Sequence, residues 1–178
     1  MELKNYQKSV MRDLNRFLSL LSQKQNIRQA YDSLWEEKGV SIGPLGMPPY
    51  HTLIEGVPHV CLKVPTGGGK TFLAANAIRP IFDSMPHIHP KAVVWLVPSD
   101  AIMQQTLKNL TDREHPYRQK IDVDFAGKVE VYTKEQMLNG HNFNPISVDE
   151  NLSIFITRLS AKDTNAVMKP VAFANLRF

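Results

Sequence analysis

The first third of the chain carries apolar residues at helical spacing. They recur every three or four positions from the tenth residue onward, at Val10, Leu14, Phe17 and Leu21. This spacing predicts an amphipathic helix over residues 5–22, with Asn5 as the residue that caps its first N–H groups. A second helix is predicted over residues 25–37, and Gly39 supplies its stop. The next ten residues hold three prolines and two glycines, which predicts an irregular connection.

Beyond about residue 56 the apolar residues form short continuous runs, which is typical of buried strands. The predicted strands cover residues 57–64, 92–97, 128–132 and 152–157. The predicted helices between them cover residues 69–82, 100–110 and 133–138. Strands that alternate with helices indicate an α/β fold with a mostly parallel sheet flanked by helices. The last residues, 172–178, are consistent with a strand or with a partly ordered chain end.

Composition excludes several classes of protein. The 178 residues are 43% apolar and 21% charged, which suits one domain with a core or one lobe of a larger protein. The apolar runs are far shorter than a membrane span requires. The single cysteine, Cys61, excludes an internal disulfide and a cysteine-rich zinc site, and the N-terminus lacks the pattern of a signal peptide. A cytoplasmic protein is therefore expected, and its net charge of +4 permits a nucleic-acid partner without arguing for one.

The strongest functional signal is the segment Val64-Pro-Thr-Gly-Gly-Gly-Lys-Thr71, which lies between a predicted strand and a predicted helix. Such a segment turns backbone N–H groups toward a phosphate, and the helix N-terminus adds partial positive charge. The predicted nucleotide-binding residues here are Thr66, Gly67, Gly68, Gly69, Lys70 and Thr71. Lys70 would hold the β- and γ-phosphates as the catalytic lysine, and Thr71 would supply a hydroxyl to Mg²⁺. The strict phosphate-loop consensus has glycine at the position of Val64. The alternative to a phosphate-binding loop is a glycine-rich turn between a strand and a helix, with a solvated lysine.

The amino-acid sequence of this loop resembles the first motif of the second helicase superfamily, in which a small apolar residue commonly replaces the first glycine. Tyr6 and Gln7, far upstream, resemble the adenine-recognition element of these ATPases. A glutamine amide can pair with both the N6 donor and the N7 acceptor of adenine. The alternative for Gln7 is a solvent-facing position on a helix. The resemblance implies a RecA-like P-loop domain that binds ATP and Mg²⁺.

A second stretch, residues 97–105, resembles the next helicase motif, in which a strand leads through a proline into a helix that touches DNA phosphates. Ser99 and Gln105 fall on the matching positions, and Ser99 is also predicted to cap the helix. The usual arginine–glutamate pair of that motif is replaced by Asp-Ala. Thr157, at the end of the last predicted strand, resembles a further element that contacts the nucleic-acid backbone. The resemblance thus assigns three candidate DNA-contacting residues.

Within the superfamily, the loop and the Tyr-Gln pair look most like the restriction subunit of type III or type I restriction-modification systems. This resemblance implies a DNA-dependent ATPase, a helicase or translocase, that acts on double-stranded DNA in the complete protein. A modification methyltransferase subunit is a candidate partner, and no membrane partner is expected. The implied domains are an N-terminal helical segment with the adenine-recognition element, residues 1–56, and a partial RecA-like P-loop ATPase lobe, residues 57–178.

A helicase-type ATPase also needs an Asp-Glu motif at the end of an apolar strand, where it holds Mg²⁺ and positions the attacking water. The one Asp-Glu pair, at residues 149 and 150, precedes the last predicted strand, and a loop is predicted there. The chain is therefore expected to be an incomplete lobe, an N-terminal piece of a longer protein, with little or no hydrolysis by itself. The alternatives are a small P-loop kinase and a non-catalytic nucleotide-binding or assembly module.

Three smaller signals have plain structural interpretations. His87 and His89 are flanked by prolines and are expected in a solvated loop rather than at a metal. The basic stretch at residues 115–120 could lie along a nucleic acid, but a polar surface loop is the prediction. Cys61 is expected to be a buried apolar residue of the strand that leads to the loop.

Overall fold

The computed structural model describes residues 1–87, 89, 91–139, 146–158 and 175–176. The chain divides into two compact units. The first, called the helical unit below, comprises Glu2–Leu73 with Pro170–Phe178. The second, called the sheet unit, comprises Met1 with Ala74–Lys169. The division falls inside a helix, and the domain boundary predicted after residue 56 stays a prediction.

The helical unit begins with two helices, α1 (Asn5–Lys24) and α2 (Ile27–Glu37). Both helices predicted from the apolar spacing are confirmed, and Gly39 follows α2 with a positive φ of 69°. The predicted cap of α1 is wrong by one residue, since Lys4 is the N-cap. Gln7 explains the difference, because its side-chain oxygen accepts the main-chain N–H of Lys4 at 2.8 Å.

An apolar cluster holds these two helices together. Its buried members are Phe17, Leu20, Ala30, Tyr31, Leu34, Trp35 and Tyr50. The hydroxyl of Tyr31 donates to the main-chain oxygen of Pro48 at 2.9 Å, which anchors the proline-rich connection on the same cluster. Burial of each large side chain contributes about 1.5–3 kcal/mol, so this cluster is the main source of stability in the helical unit.

The strand predicted over residues 57–64 is much shorter in the structure. Only β1 (Cys61–Leu62) is paired, in parallel with β5 (Asn175–Leu176). Pro58 and Pro65 lie on either side of this pair, and neither has an N–H to donate to a neighbouring strand. Of the two predictions for residues 172–178, the strand is confirmed for the two residues of β5.

The sheet unit contains a three-stranded parallel sheet in the order β2-β4-β3. Its strands are β2 (Ala92–Val97), β3 (Val129–Thr133) and β4 (Leu152–Arg158). Its helices are α3 (Lys70–Ser84), which begins in the helical unit, α4 (Asp100–Thr111), α5 (Pro116–Asp124), α6 (Lys134–Asn139) and α7 (Ser147–Glu150). The predicted α/β class, with a parallel sheet flanked by helices, is therefore confirmed and is consistent with a RecA-like domain.

The core of the sheet unit is centred on β4, the middle strand. Its buried members are Ala75, Ile78, Leu110, Ile121, Val129, Leu152, Ile154 and Ile156. The edge strand β2 is less covered, and Val94 on it is 63% exposed. None of the helices in the part of the chain that the structure describes has both the length and the apolar character needed to cross a bilayer.

The loop predicted for the basic stretch at residues 115–120 is wrong, because this stretch begins α5. His115 caps the helix by accepting the N–H of Tyr117 on its Nδ1 at 3.3 Å, and a proline occupies the first helical position. Arg118 is only 5% exposed. It donates to main-chain oxygens at the end of α4 and the start of β3, and to Asp122 at 2.9 Å. The buried guanidinium therefore links the end of α4 to the start of β3 in the core of the sheet unit.

Candidate nucleotide site

The predicted phosphate loop connects β1 to the start of α3, which begins at Lys70. Gly67 and Gly69 have positive φ angles of 74° and 71°, a region that residues with a Cβ rarely adopt. The N–H of Gly68 bonds back to the main-chain oxygen of Pro65 at 3.0 Å. The three consecutive glycines are therefore used to form a tight turn into a helix.

Gly68 sits where no side chain fits. A Cβ on this residue would lie 2.6 Å from Cγ1 of Val64 and 2.8 Å from the main-chain oxygen of Pro65. Val64 is 8% exposed, and it occupies the position where the strict consensus has glycine. The valine side chain is accommodated because it packs in the interior against Gly68, where no Cβ competes for the space.

Lys70 is exposed and lies against its own loop. Its Nζ donates to the main-chain oxygen of Pro65 at 2.9 Å. A neutral carbonyl is a weaker acceptor for an ammonium group than a phosphate oxygen, so an anion in the loop would compete successfully for this donor. Thr71 follows in the first turn of α3 and is half-buried, while Thr66 is exposed at the start of the turn.

Tyr6 and Gln7 lie next to this loop, although about sixty residues separate them from it in the sequence. The Tyr6 hydroxyl donates to the main-chain oxygen of Gly68 at 2.8 Å, and Nε2 of Gln7 donates to the same oxygen at 2.9 Å. Gln7 is 2% exposed, so the alternative of a solvent-facing helix glutamine is wrong. A Cβ on Gly69 would lie 2.6 Å from Nε2 of Gln7. The role of these two residues in adenine recognition stays a prediction.

The loop has the chemistry required to hold a triphosphate with its magnesium ion. The N–H groups of Gly67, Gly69 and the first turn of α3 are the candidate donors, because that of Gly68 already bonds to Pro65, and the helix adds partial positive charge at its N-terminus. Lys70 supplies a full positive charge, and the Thr71 hydroxyl is an oxygen ligand of the kind Mg²⁺ takes. A side chain at Gly68 or Gly69 would collide with Val64, Pro65 or Gln7, so glycine is required at both positions.

The three candidate DNA-contacting residues belong to the sheet unit. Ser99 caps α4 as predicted, with its hydroxyl oxygen accepting the N–H of Ile102 at 3.4 Å. Thr157 is half-buried near the carboxyl end of β4, and Gln105 is exposed on α4. Ser99 lies two residues after the end of β2, and Leu96 of that strand pairs with Thr157. Both residues therefore lie at the carboxyl edge of the sheet, the edge at which parallel α/β sheets bind ligands.

One basic residue at this edge was not singled out from the sequence. Arg158, the last residue of β4, donates to Oδ2 of Asp100 at 2.9 Å. Asp100 occupies the position at which the helicase motif that residues 97–105 resemble has its arginine. A guanidinium is therefore present at the start of α4, supplied by the neighbouring strand. The signal for it was the Arg that directly follows Thr157 in the sequence.

The Asp149–Glu150 pair does not lie at the carboxyl end of a strand. It belongs to α7, so the predicted loop is wrong, and α7 immediately precedes β4. The two carboxylates thus lie at the amino edge of the sheet. At this edge the main-chain N–H of Lys91, which precedes β2, donates to the main-chain oxygen of Val148. Within the described residues, no Asp-Glu pair takes the position that the acidic helicase motif requires.

No metal centre is formed by side chains within the residues that the structure describes. His87 and His89 are both exposed, and Cys61 on β1 is half-buried. A cavity of about 620 Å³ lies in the sheet unit, lined by residues that precede β2, β3 and β4. Its charged groups are partly paired with each other, since Arg79 bonds to Asp83 at 2.7 Å. Its mixed charges select no class of ligand, and none of the predicted site residues lines it.

Comparison with known proteins gives one family. The family model described as "Type III restriction enzyme, res subunit" matches residues 1–168. No curated protein and no solved structure matches the chain.

Proposed function

The chain belongs to the family of type III restriction enzyme res subunits, and we propose that it forms the ATP-binding part of a DNA-dependent helicase or translocase. The observation that carries this proposal is the glycine turn into α3. Gly67 and Gly69 adopt positive φ angles there, and Gly68 has no room for a side chain. These features support the proposal because the glycine turn leads into the N-terminus of a fifteen-residue helix whose first residue is Lys70, and helix N-termini favour phosphate.

Each residue of the turn has a proposed role. The N–H groups of Gly67 and Gly69 would hold the phosphates, and Lys70 would exchange the oxygen of Pro65 for a phosphate oxygen. The Thr71 hydroxyl would bind Mg²⁺, and Mg-ATP would supply the phosphoanhydride bond whose cleavage drives movement on DNA. The surrounding chain contributes binding and orientation, because this chemistry depends on positioning and on the neutralisation of charge.

The carboxyl edge of the sheet unit is the proposed DNA contact. The N-terminus of α4 next to Ser99 offers free N–H groups, and Gln105 and Thr157 offer neutral polar groups to a phosphate backbone. Arg158 adds a positive charge at the same edge, held in place by Asp100. Such contacts carry no information on base sequence, which is appropriate for a translocase. We also propose that the complete protein works with a modification methyltransferase subunit, in keeping with a family named as a subunit.

A second candidate is a module that binds nucleotide without turning it over. The position of Asp149 and Glu150 favours it, because these carboxylates precede β4 and cannot act as the acidic motif at a strand end. The two candidates predict the same nucleotide binding and differ only in hydrolysis. A steady-state ATPase assay with and without double-stranded DNA separates them, since a non-catalytic module would show no turnover under either condition.

The proposed binding is tested by thermal denaturation with and without Mg-ATP, on the wild type and on Lys70→Ala. A ligand at ten times its dissociation constant stabilises the folded state by about 1.4 kcal/mol. For a chain of this size that is a rise of roughly 3–6 °C in Tm. Lys63→Ala is the matched control, because Lys63 is an exposed lysine close to the loop. We expect the rise in the wild type and the control and its loss in Lys70→Ala; no rise in the wild type contradicts the proposal.

A further inference from the structure

The solvent-facing side of α1 carries a row of positive charges, called the basic row below. Its members, Lys8, Arg12 and Arg16, stand four residues apart, so they lie on one face of the helix and span about 12 Å along its axis. Lys8 and Arg12 are exposed, and the side chain of Arg16 is 42% exposed. The one acidic residue of the helix, Asp13, is paired with Lys38 at 2.9 Å. The helix itself therefore does not neutralise the basic row.

One member of the basic row is paired with a carboxylate from elsewhere in the helical unit. Nε and Nη2 of Arg16 both donate to the carboxylate of Glu37, the last residue of α2. Among the described residues, neither Lys8 nor Arg12 takes part in an ion pair. Nη2 of Arg12 donates to the neutral hydroxyl of Ser9 at 3.0 Å. Two full charges of the row are thus available to an anion from outside the chain.

This arrangement of charges is unfavourable for the helix. Like charges four residues apart repel each other, and the basic row contains two such pairs, Lys8 with Arg12 and Arg12 with Arg16. The first turn of α1 has no acidic residue to complement the partial positive charge at the helix N-terminus. Local charge rules that a helix breaks in this way point to a function of its surface. A polyanion along the row would relieve both unfavourable terms.

We propose that the basic row contacts the phosphate backbone of double-stranded DNA, in addition to the contact proposed for the carboxyl edge of the sheet unit. This inference rests on the proposed DNA-dependent function and adds an interaction surface in the helical unit. Duplex DNA carries one negative charge per about 1.7 Å of its axis, so a row about 12 Å long meets several phosphates. Contacts of this kind hold the backbone and read no base sequence.

The two sides of α1 favour DNA over an anionic membrane surface. An amphipathic helix that binds a membrane inserts its apolar side among the lipids. Here that side is occupied, because Phe17 and Leu20 are 0% and 2% exposed in the apolar cluster shared with α2. The polar side also has Asn5 and Asn15, both exposed, and asparagine is one of the neutral side chains that contact DNA phosphates. α1 thus offers a partner a polar surface with the composition of a phosphate contact.

The test measures the affinity of the 178-residue chain for a short DNA duplex by fluorescence anisotropy at several salt concentrations, without nucleotide. Each phosphate that a cation neutralises contributes about 0.9 to the slope of log K against log salt, which is about eightfold in affinity at about 0.1 M salt. We expect Lys8→Ala/Arg12→Ala to lower the slope by about 1.8 and to weaken binding about sixtyfold. The control Lys24→Ala/Arg28→Ala removes the same net charge at exposed positions and is expected to keep the wild-type slope. Circular dichroism should show intact folding in both, because alanine favours helix.

A second variant is expected to bind more tightly, which misfolding cannot produce. Glu37→Gln removes the carboxylate that holds Arg16, so a third cation of the basic row becomes available to DNA. We expect the slope to rise by about 0.9 and the affinity to rise about eightfold at about 0.1 M salt. Glu36→Gln is the matched control, because it removes an equal charge at the neighbouring exposed position while Arg16 keeps its pairing with Glu37. Its affinity is expected to stay within about twofold of the wild type.

Each contrary outcome has a separate meaning. Equal weakening by Lys8→Ala/Arg12→Ala and by Lys24→Ala/Arg28→Ala makes the effect one of net charge, and the inference fails while the proposed function stands. An unchanged slope in Lys8→Ala/Arg12→Ala has the same consequence. If that variant keeps DNA binding and instead loses binding to vesicles of anionic phospholipid, the basic row contacts a membrane, which also overturns the inference. Failure of the wild type to bind the duplex at low salt overturns the inference together with the proposed DNA-dependent function.

Discussion

Gly67 and Gly69 form a matched pair for testing how the phosphate loop is held. Their φ angles are nearly equal, 74° and 71°, so alanine at either position adds about 1–2 kcal/mol of backbone strain. Reduced freedom of the unfolded chain offsets about 0.4–1 kcal/mol of this in both variants. The two positions differ in their surroundings. A Cβ on Gly67 meets nothing within 4 Å, whereas a Cβ on Gly69 lies 2.6 Å from Nε2 of Gln7.

The magnitude of the difference follows from the contacts of Gln7. In Gly69→Ala the amide must move away and lose its bond to the Gly68 oxygen. Because Gln7 is 2% exposed, the displaced polar group is left unpaired in the interior, at a cost of about 1–3 kcal/mol. We therefore expect Gly67→Ala to lower the free energy of unfolding by less than about 1.5 kcal/mol, and Gly69→Ala to lower it by about 2–4 kcal/mol.

Urea denaturation followed by circular dichroism measures both free energies under the same conditions. A third and a fourth variant, Gln7→Ala and the double variant Gly69→Ala/Gln7→Ala, close a cycle. With the amide removed, the clash is gone, so Gly69→Ala should cost about as much in the Gln7→Ala background as Gly67→Ala costs in the wild type. Equal losses for the two glycine variants in the wild-type background would refute the reasoning, as would additive effects in the cycle.

Three further predictions concern the sheet unit, and urea denaturation checks each. Arg118→Ala should lower the free energy of unfolding by about 3–5 kcal/mol, because the buried guanidinium donates to two main-chain oxygens and to a carboxylate. The control Arg113→Ala, at an exposed arginine, should have almost no effect. Ile156→Ala should lower the free energy of unfolding by about 2–5 kcal/mol, because Ile156 is fully buried. Val94→Ala should lower it by under about 0.5 kcal/mol, because Val94 is 63% exposed. Similar losses in the two variants would contradict the assignment of the core. Ser99→Ala should cost about 0.5–2 kcal/mol through loss of the α4 cap, and a neutral effect would mean that the long 3.4 Å bond contributes nothing.

The parts of the fold that were predictable depend on local physics. Residues only a few positions apart determine the apolar spacing of α1 and α2, the continuous apolar segment of β2 and the cap at Ser99. The structure has these elements within about two residues of the predicted bounds. The failures also have local causes. Pro58 and Pro65 on either side of β1 cannot donate to a neighbouring strand, and the proline at the start of α5 suits the first position of a helix as well as it suits a loop.

The candidate site divides in the same way. A glycine-rich turn between a strand and a helix is a local arrangement, so the sequence alone was sufficient to predict the loop, Lys70 and Thr71 as its phosphate-binding candidates. The positive φ angles of Gly67 and Gly69 agree with that chemistry. The packing of Val64 against Gly68 could not be predicted, because it depends on how the turn folds back over the residue before it.

The amino-acid sequence was enough to predict an α/β chain, a candidate phosphate loop and a resemblance to restriction-type helicases, because periodicity, turn residues and motif spacing are properties of neighbouring positions. Tertiary structure alone decided the surroundings of Tyr6 and Gln7. Their bonds to the Gly68 oxygen join residues 62 and 61 positions apart, and such contacts form only when α1 packs beside the loop. Gln7 is thereby buried with both ends of its amide bonded to the main chain, and no pattern in the sequence predicts these contacts.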